Sequence, residues 1–398
     1  MLHHWMMPSA DQHKQERRLL ALDALGKYSL VDNYVLILFV VAFRFQLGIT
    51  DNLGIDVYVT PVYGFFSFLF ATCLSLVLGH AILFFHRKTM QHHDDERGSP
   101  ARSLLLNHVF RVQNENSNQM RLSRIAQGLL LLYLISTFGF LVLGFFQESF
   151  TFEIGGLAGI VLDEDARKRS YSVLSLGAAL PSSVGDSQNQ SIVFLQATFF
   201  FFTVVTPILC LALILFLMVM PLSLKWQRYI LVAAEIVNSW SAVEVFLLSI
   251  SAALFQISTF ASFMVGDKCD EINILAEKIF DQKDTVCFTV DASVESNCWY
   301  LLVGTISNIL MVTFLLGFSE TAVEEKVGDS CRVHEISSGS LEMFPPTKRS
   351  DQTLIKKLLG IPLTRYILFA PVPASSPPSR PDEEDSAPLL LEDTIDAA

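Results

Sequence analysis

Apolar positions along the chain gather into six long runs, at about 30–49, 62–86, 127–147, 193–220, 241–264 and 299–318. Each is about 20 residues or longer, the length a helix needs to cross a hydrocarbon core. In lipid an isolated segment can satisfy its backbone only as a helix. The pattern therefore predicts an all-α fold, a polytopic membrane helical bundle of six transmembrane helices. Four regions follow from it: a cytoplasmic arm over 1–28, two spans and a loop over 29–126, four spans over 127–320, and a largely disordered cytoplasmic tail over 321–398.

Composition agrees with the pattern. Of 398 residues 51% are hydrophobic and 17% charged, and the mean hydropathy is +0.43. So little polar material cannot cover a soluble globule, which excludes a soluble enzyme. The net charge of -12 argues against a nucleic-acid partner, whose recognition needs a basic footprint. No nucleophile elbow, P-loop or HExxH pattern occurs, so neither catalysis nor a cofactor is expected. His92-His93-Asp94-Asp95 lacks companions that would complete a metal ligand set, and no metal is expected.

Charge also orients the spans. The arm, the 87–126 and 221–240 loops and the tail hold 4, 7, 2 and 8 Lys and Arg residues, against 0, 3 and 3 in the other loops. Both termini are therefore expected in the cytoplasm. Residues 16–27, 354–359 and 365–369 read as amphipathic stretches lying on that membrane surface. Asn189 heads a glycosylation sequon on the opposite side, where Cys269, Cys287 and Cys298 also fall and could form one disulfide. In the tail, Asp385 with Leu389 and Leu390 resembles an acidic dileucine sorting signal, which makes coat adaptors candidate partners. Sequon and signal together point to a eukaryotic endomembrane or plasma membrane.

Two segments repeat. Tyr28-Ser29-Leu30-Val31-Asp32-Asn33-Tyr34 aligns without a gap to Trp240-Ser241-Ala242-Val243-Glu244-Val245-Phe246, and twelve residues beyond the acid Arg44 aligns with Gln256. These motifs resemble those of the paraquat-inducible protein A family of integral membrane proteins, whose members carry Trp-Ser-Met-x-Asp-Val-Phe ahead of a span. Val204-Val205-Thr206-Pro207-Ile208-Leu209 resembles the family's Pro-containing second span. Family domains have four spans and usually come in pairs, so this chain reads as one and a half domains. Either two spans were lost or the sequence is incomplete. The family's paired CxxC segments are absent here, and Cys210 stands where a Lys is common. The resemblance implies a role beside lipid-shuttling assemblies, with membrane lipids as partners.

Ionisable groups inside spans mark the candidate route. Arg44 either snorkels to headgroups or faces the interior to receive a phosphate or carboxylate. Asp32 and Glu244, at the cytoplasmic starts of their spans, either cap helix N-termini or form an acidic gate. His80 either bonds a carbonyl or forms a titratable pair with Asp32. Gln256, Thr305, Ser307 and Asn308 read as interhelical glue or as polar lining. Tyr28 and Trp240 read as interface anchors, and Pro207 as a kink that frees a carbonyl. The leading expectation is lipid transport or membrane homeostasis. An ion-coupled small-solute transporter or channel, and a non-transporting scaffold, are the alternatives, and a homo-oligomer is compatible with all three.

Overall fold

The computed structural model describes residues 25–338, apart from 44, 51–52, 58–60, 92–101, 108, 112–118, 157–158, 160–166, 184–189 and 281–288, together with 369–371. A 3-10 turn over Lys27–Leu30 leads into α1 (Val31–Ala42), followed by β1 (Phe45–Thr50), β2 (Leu53–Val57) and α2 (Tyr63–Gln91). Next come β3 (Arg102–Ser103), β4 (Val109–Arg111), β5 (Gln119–Leu122), α3 (Arg124–Phe146), β6 (Phe150–Gly155) and β7 (Lys168–Tyr171). The helices α4 (Val173–Ser183), α5 (Gln190–Phe200) and α6 (Thr206–Val219) follow, with a π-helical turn over Phe201–Val205 between the last two. The chain continues through β8 (Leu222–Ser223), α7 (Leu224–Trp240), α8 (Val243–Phe280), β9 (Thr289–Val294), α9 (Cys298–Ser338) and β10 (Phe369–Pro371).

Among the described residues, five helical stretches are long and apolar enough to cross a bilayer: Tyr63–Ile82, Arg124–Phe146, Gln190–Val219, Leu224–Ala261 and Cys298–Val323. Only 28–50% of each apolar window lies inside the bundle, so half or more of each faces outward. Lipid is the solvent that accepts such a surface. The chain is thus a multi-pass helical membrane bundle.

The first expected span, 30–49, is corrected. Its helix stops at Ala42 and the chain turns into the antiparallel pair β1–β2. Twelve residues rise about 18 Å, short of the roughly 30 Å core. The connection carries Asp51-Asn52 beside Gly48 and Gly54, turn-forming chemistry that a helix reading overlooks. Buried Asn33, Tyr34 and Ile37–Ala42 place most of α1 inside the bundle rather than against lipid.

Each end of the bundle is tied. At one end α3 closes with Gln147 in extended conformation. There the sheet β7-β6-β9 joins the 148–192 loop to the 265–298 loop, with Phe150 opposite both Tyr171 and Val294. At the other end Ser123 caps α3, its hydroxyl accepting from the Ala126 N–H. Arg102 and Ser103 pair there with Ser223 and Leu222, and Gln227 donates to the carbonyls of Ser103 and Leu222. Lys326, on the extension of α9, donates to Ser103 Oγ and Gln227 Oε1, and burial pushes its ammonium down to a pKa of about 8. The helix α9 runs to Ser338, past the tail boundary expected at 321. Part of the tail returns as β10 and pairs with β5.

Candidate functional site

The site begins with Pro207. It has no N–H to give a carbonyl one turn back, and its ring disfavours a regular helix there. The chain answers with the π turn just before it, where Thr206 N–H reaches back to the carbonyl of Phe201. The carbonyl of Phe202 then lacks a donor at Pro207. It accepts instead from Ala242 N–H at 3.1 Å and from Thr206 Oγ1 at 2.9 Å. Ala242 lies in the break between α7 and α8, where Ser241 turns extended. Thr206 Oγ1 also reaches the Trp240 carbonyl at 3.4 Å, so the two family-like motifs are bonded to each other.

The break also corrects the expected depth of Glu244. Residues 221–240 are not merely a loop, because α7 packs along α6, with Cys210 beside the Ala234 carbonyl. Trp240 lies thirteen residues beyond Gln227, roughly 20 Å up the bundle at 1.5 Å per residue. Glu244 follows one turn later, inside the bundle rather than at its mouth. Its carboxylate pairs with Lys27, and the two side chains are only 14% and 12% exposed. Lys27 was not among the residues read as functional. The signal was its position directly before the Tyr28-Ser29 motif.

Around this pair α1 and α8 run side by side. Ser249 Oγ donates to the carbonyl of Val31 at 3.3 Å. Tyr34 and Phe246, equivalent positions in the two motifs, meet edge to face at 5.6 Å, and Thr203 Oγ1 donates to the Tyr34 hydroxyl at 3.1 Å. Trp240 does not act as an interface anchor. Its ring stacks nearly parallel to His80 at 5.6 Å and to Phe202 at 5.7 Å. His80 is thus buried against Trp240, not paired with Asp32, which is exposed in the first turn of α1. Among the described residues, Trp240 Nε1, Ser241 Oγ and Asn33 Oδ1 are buried without a hydrogen-bond partner.

The other candidates scatter. Tyr28 is 44% exposed in the 3-10 turn, and the Ser29 hydroxyl donates to the carbonyl of Gly26. Gln256 is exposed on the outer face of α8. Ser307 ties α9 to α3 through Thr137 Oγ1 at 2.7 Å and the Tyr133 hydroxyl at 2.8 Å. Thr305 Oγ1 and Asn308 Oδ1 are buried without a partner among the described residues. Cys298 opens α9 half-buried, and the side chain of Cys269 lies outside the described set. Arg44, Asn189, Cys287, the 92–95 cluster, Asp385, Leu389 and Leu390 lie outside the described residues.

The lipid-facing helices define the class, a multi-pass membrane protein, and a part-buried ion pair lies at a helix break within its bundle. Residues 175–269 match the family model of paraquat-inducible protein A. Over that segment, which runs from α4 into α8 and holds Pro207, Trp240, Ser241 and Glu244, the chain is paraquat-inducible protein A-like. No curated protein and no solved structure matches the chain.

Proposed function

We propose that this chain is a non-enzymatic membrane protein that transports lipid or maintains membrane composition, and that the Lys27–Glu244 pair at the helix break is its working centre. The observation that supports this is the burial of two opposite charges at the one level where α5–α6 and α7–α8 are both interrupted. Charges at such depth are expensive, and a discontinuous helix lets their partners change with little loss of backbone bonding. The ammonium of Lys27 can exchange Glu244 for the phosphate of a headgroup. In this reading both termini face the cytoplasm of a eukaryotic endomembrane or plasma membrane, and the tail recruits sorting adaptors.

The test is reconstitution into liposomes with fluorescent phospholipid, comparing the wild type with a Lys27→Met/Glu244→Met double variant that removes both charges together. Transbilayer movement or extraction of lipid should drop to the protein-free rate in the folded double variant. An unchanged rate would end the proposal. One observation favours a second reading, ion-coupled solute transport: the carboxylate of Glu244 and the imidazole of His80 both lie at the break. Proton or cation flux that depends on Glu244, without lipid movement, would move that reading ahead.

A further inference from the structure

The break between α7 and α8 presents more hydrogen-bonding groups than its own chain satisfies. Ser241 N–H closes α7 on the carbonyls of Val237 and Asn238, each at 3.1 Å. Ala242 N–H bonds the Phe202 carbonyl, and the first bond inside α8 runs from Phe246 N–H to the Ala242 carbonyl at 2.9 Å. The N–H groups of Val243, Glu244 and Val245 therefore precede the helical ladder, as the first donors of any α-helix do. The Ser241 hydroxyl stands directly before them, on a residue only 2% exposed, and its Oγ has no partner among the described residues. Trp240 Nε1 is buried in the same condition. His80 and Phe202 stack on the indole at 20° and 21° from parallel, and Phe201 stands across it at 85°. An indole N–H lies in the plane of its ring, so the stacked neighbours cannot receive it.

These groups decide what can sit among them. Indole and backbone N–H groups only donate, so the occupant must accept, which excludes a cation. The positive end of a helix dipole favours an anion, but Glu244 already brings a carboxylate to this first turn, and the Lys27 ammonium is paired with it. A second anion would meet that carboxylate at close range. Trp240 Nε1 and Ser241 Oγ are both closed off from the surface, so the occupant is also small. Water is neutral, small and able both to accept and to donate, and buried polar groups without protein partners are where it binds. We propose that the α7–α8 break binds a water molecule that accepts from the Trp240 N–H and from a free N–H of α8, and donates to Ser241 Oγ. Its second hydrogen is left for the carbonyl of Ser239, at the open end of α7. The inference stands on the break alone and holds whichever solute the protein moves. It gives the break a partner that can follow its donors when the helices shift.

Heteronuclear NMR of the full chain in nanodiscs, labelled with nitrogen-15 at tryptophan, tests it. The chain has four tryptophans, and the Trp240 indole signal is the one lost in Trp240→Phe. If that variant does not fold, replacing Trp5, Trp226 and Trp299 with Phe leaves the Trp240 signal alone. In the rotating frame, a through-space contact with water and chemical exchange with water give cross-peaks of opposite sign. The Trp240 N–H should show the through-space peak. Ser241→Ala should keep it, because the smaller side chain leaves the space open to water and removes any signal relayed through the hydroxyl proton. Ser241→Val fills that space and should erase the peak. Absence of the peak in the wild type, a peak of exchange sign alone, or its retention in folded Ser241→Val would each overturn the proposal. So would its loss in Ser241→Ala, which would make the serine hydroxyl the direct partner of the indole. Should Ser241→Val not fold, the wild type and Ser241→Ala decide.

Discussion

Two helix contacts in this bundle are built on opposite principles. Between α3 and α9 the backbones nearly touch: a Cβ on Gly144 would lie 2.6 Å from Leu301 Cα, and one on Gly304 would lie 2.9 Å from Leu141 N. Three polar side chains of that seam are closed on one another, with Thr137 bonded to the Tyr133 carbonyl and to Ser307, and Ser307 to the Tyr133 hydroxyl, while Thr305 Oγ1 and Asn308 Oδ1 on α9 have no partner among the described residues. Small residues and satisfied hydroxyls are how helices hold together where no water drives them to associate. The junction of α1, the π turn, α7 and α8 has a proline, a broken helix, a part-buried ion pair and hydroxyl and indole groups without partners among the described residues. A contact meant only to hold gains nothing from these features. The difference separates a fixed wall of the bundle from the part whose bonding can be rearranged.

The largest effect expected is at the ion pair. Removing one charge leaves the other buried without compensation, which costs about 3–5 kcal/mol, whereas replacing both with apolar residues is near neutral. Lys27→Met alone should therefore destabilise by about 3 kcal/mol or more. Adding Glu244→Met should return stability to within about 1 kcal/mol of wild type while lipid movement stays lost. Reversible unfolding in mixed micelles reads both variants. If the second substitution brings no recovery, the pair is not an isolated charge couple and the contrast with the seam weakens.

At the seam the next largest effect comes from a single methyl. Gly144→Ala meets backbone rather than a flexible side chain, so α3 and α9 must separate, at about 1–3 kcal/mol. Gly139, on the same helix, has nothing within 4 Å of its Cβ position. Gly139→Ala should be neutral or gain up to about 1 kcal/mol from helix propensity. Similar losses at both positions would mean that the seam is not specifically close-packed.

Legibility from sequence followed the range of each interaction. The long helices were readable because an apolar run of about 20 residues is a local signal, and a disturbed helix at Pro207, here a π turn, because its cause lies in the residue itself. The Lys27–Glu244 pair joins residues 217 positions apart, and the place of Lys27 directly before the Tyr28-Ser29 motif does not by itself name Glu244 as its partner. The depth of Glu244 was misjudged because α7 mixes Lys225, Arg228 and Glu235 with apolar residues and resembled a loop. Only its packing on α6 lifts Trp240 into the bundle. The sheet had a readable sign in Phe150-Thr151-Phe152-Glu153-Ile154, an alternation with Phe150, Phe152 and Ile154 buried. The early end of α1 went unread because Phe45–Ile49 is apolar enough to pass for more helix.

Pro207→Ala changes less energy and more connectivity. With alanine there the α5–α6 helix can regularise, so that the new N–H at position 207 bonds the Thr203 carbonyl, the Thr206 N–H moves from the Phe201 to the Phe202 carbonyl, and the bond from Ala242 weakens. One hydrogen bond is exchanged for another, and stability should move by under about 1 kcal/mol. Amide exchange at Ala242 should accelerate nonetheless, and lipid movement should fall. Unchanged protection at Ala242 would show that the freed carbonyl is not what holds the break.

The smallest effect expected is at Lys326, where the extension of α9 meets α7 and the two regions join. Burial lowers its pKa from 10.5 to about 8, so the folded chain releases this proton earlier than the unfolded chain. Between about pH 8 and 10.5 the unfolded state binds more protons, and stability from this group rises with pH across that window. Below it both states are protonated and the unfavourable burial of the charge is fully present. Lys326→Met should flatten that rise without altering lipid retention, since Ser103 and Gln227 lie at the tied end rather than at the break. Thermal unfolding at several pH values measures the slope. Loss of transport in Lys326→Met would mean that the rearrangement at the break extends down α7 to this end.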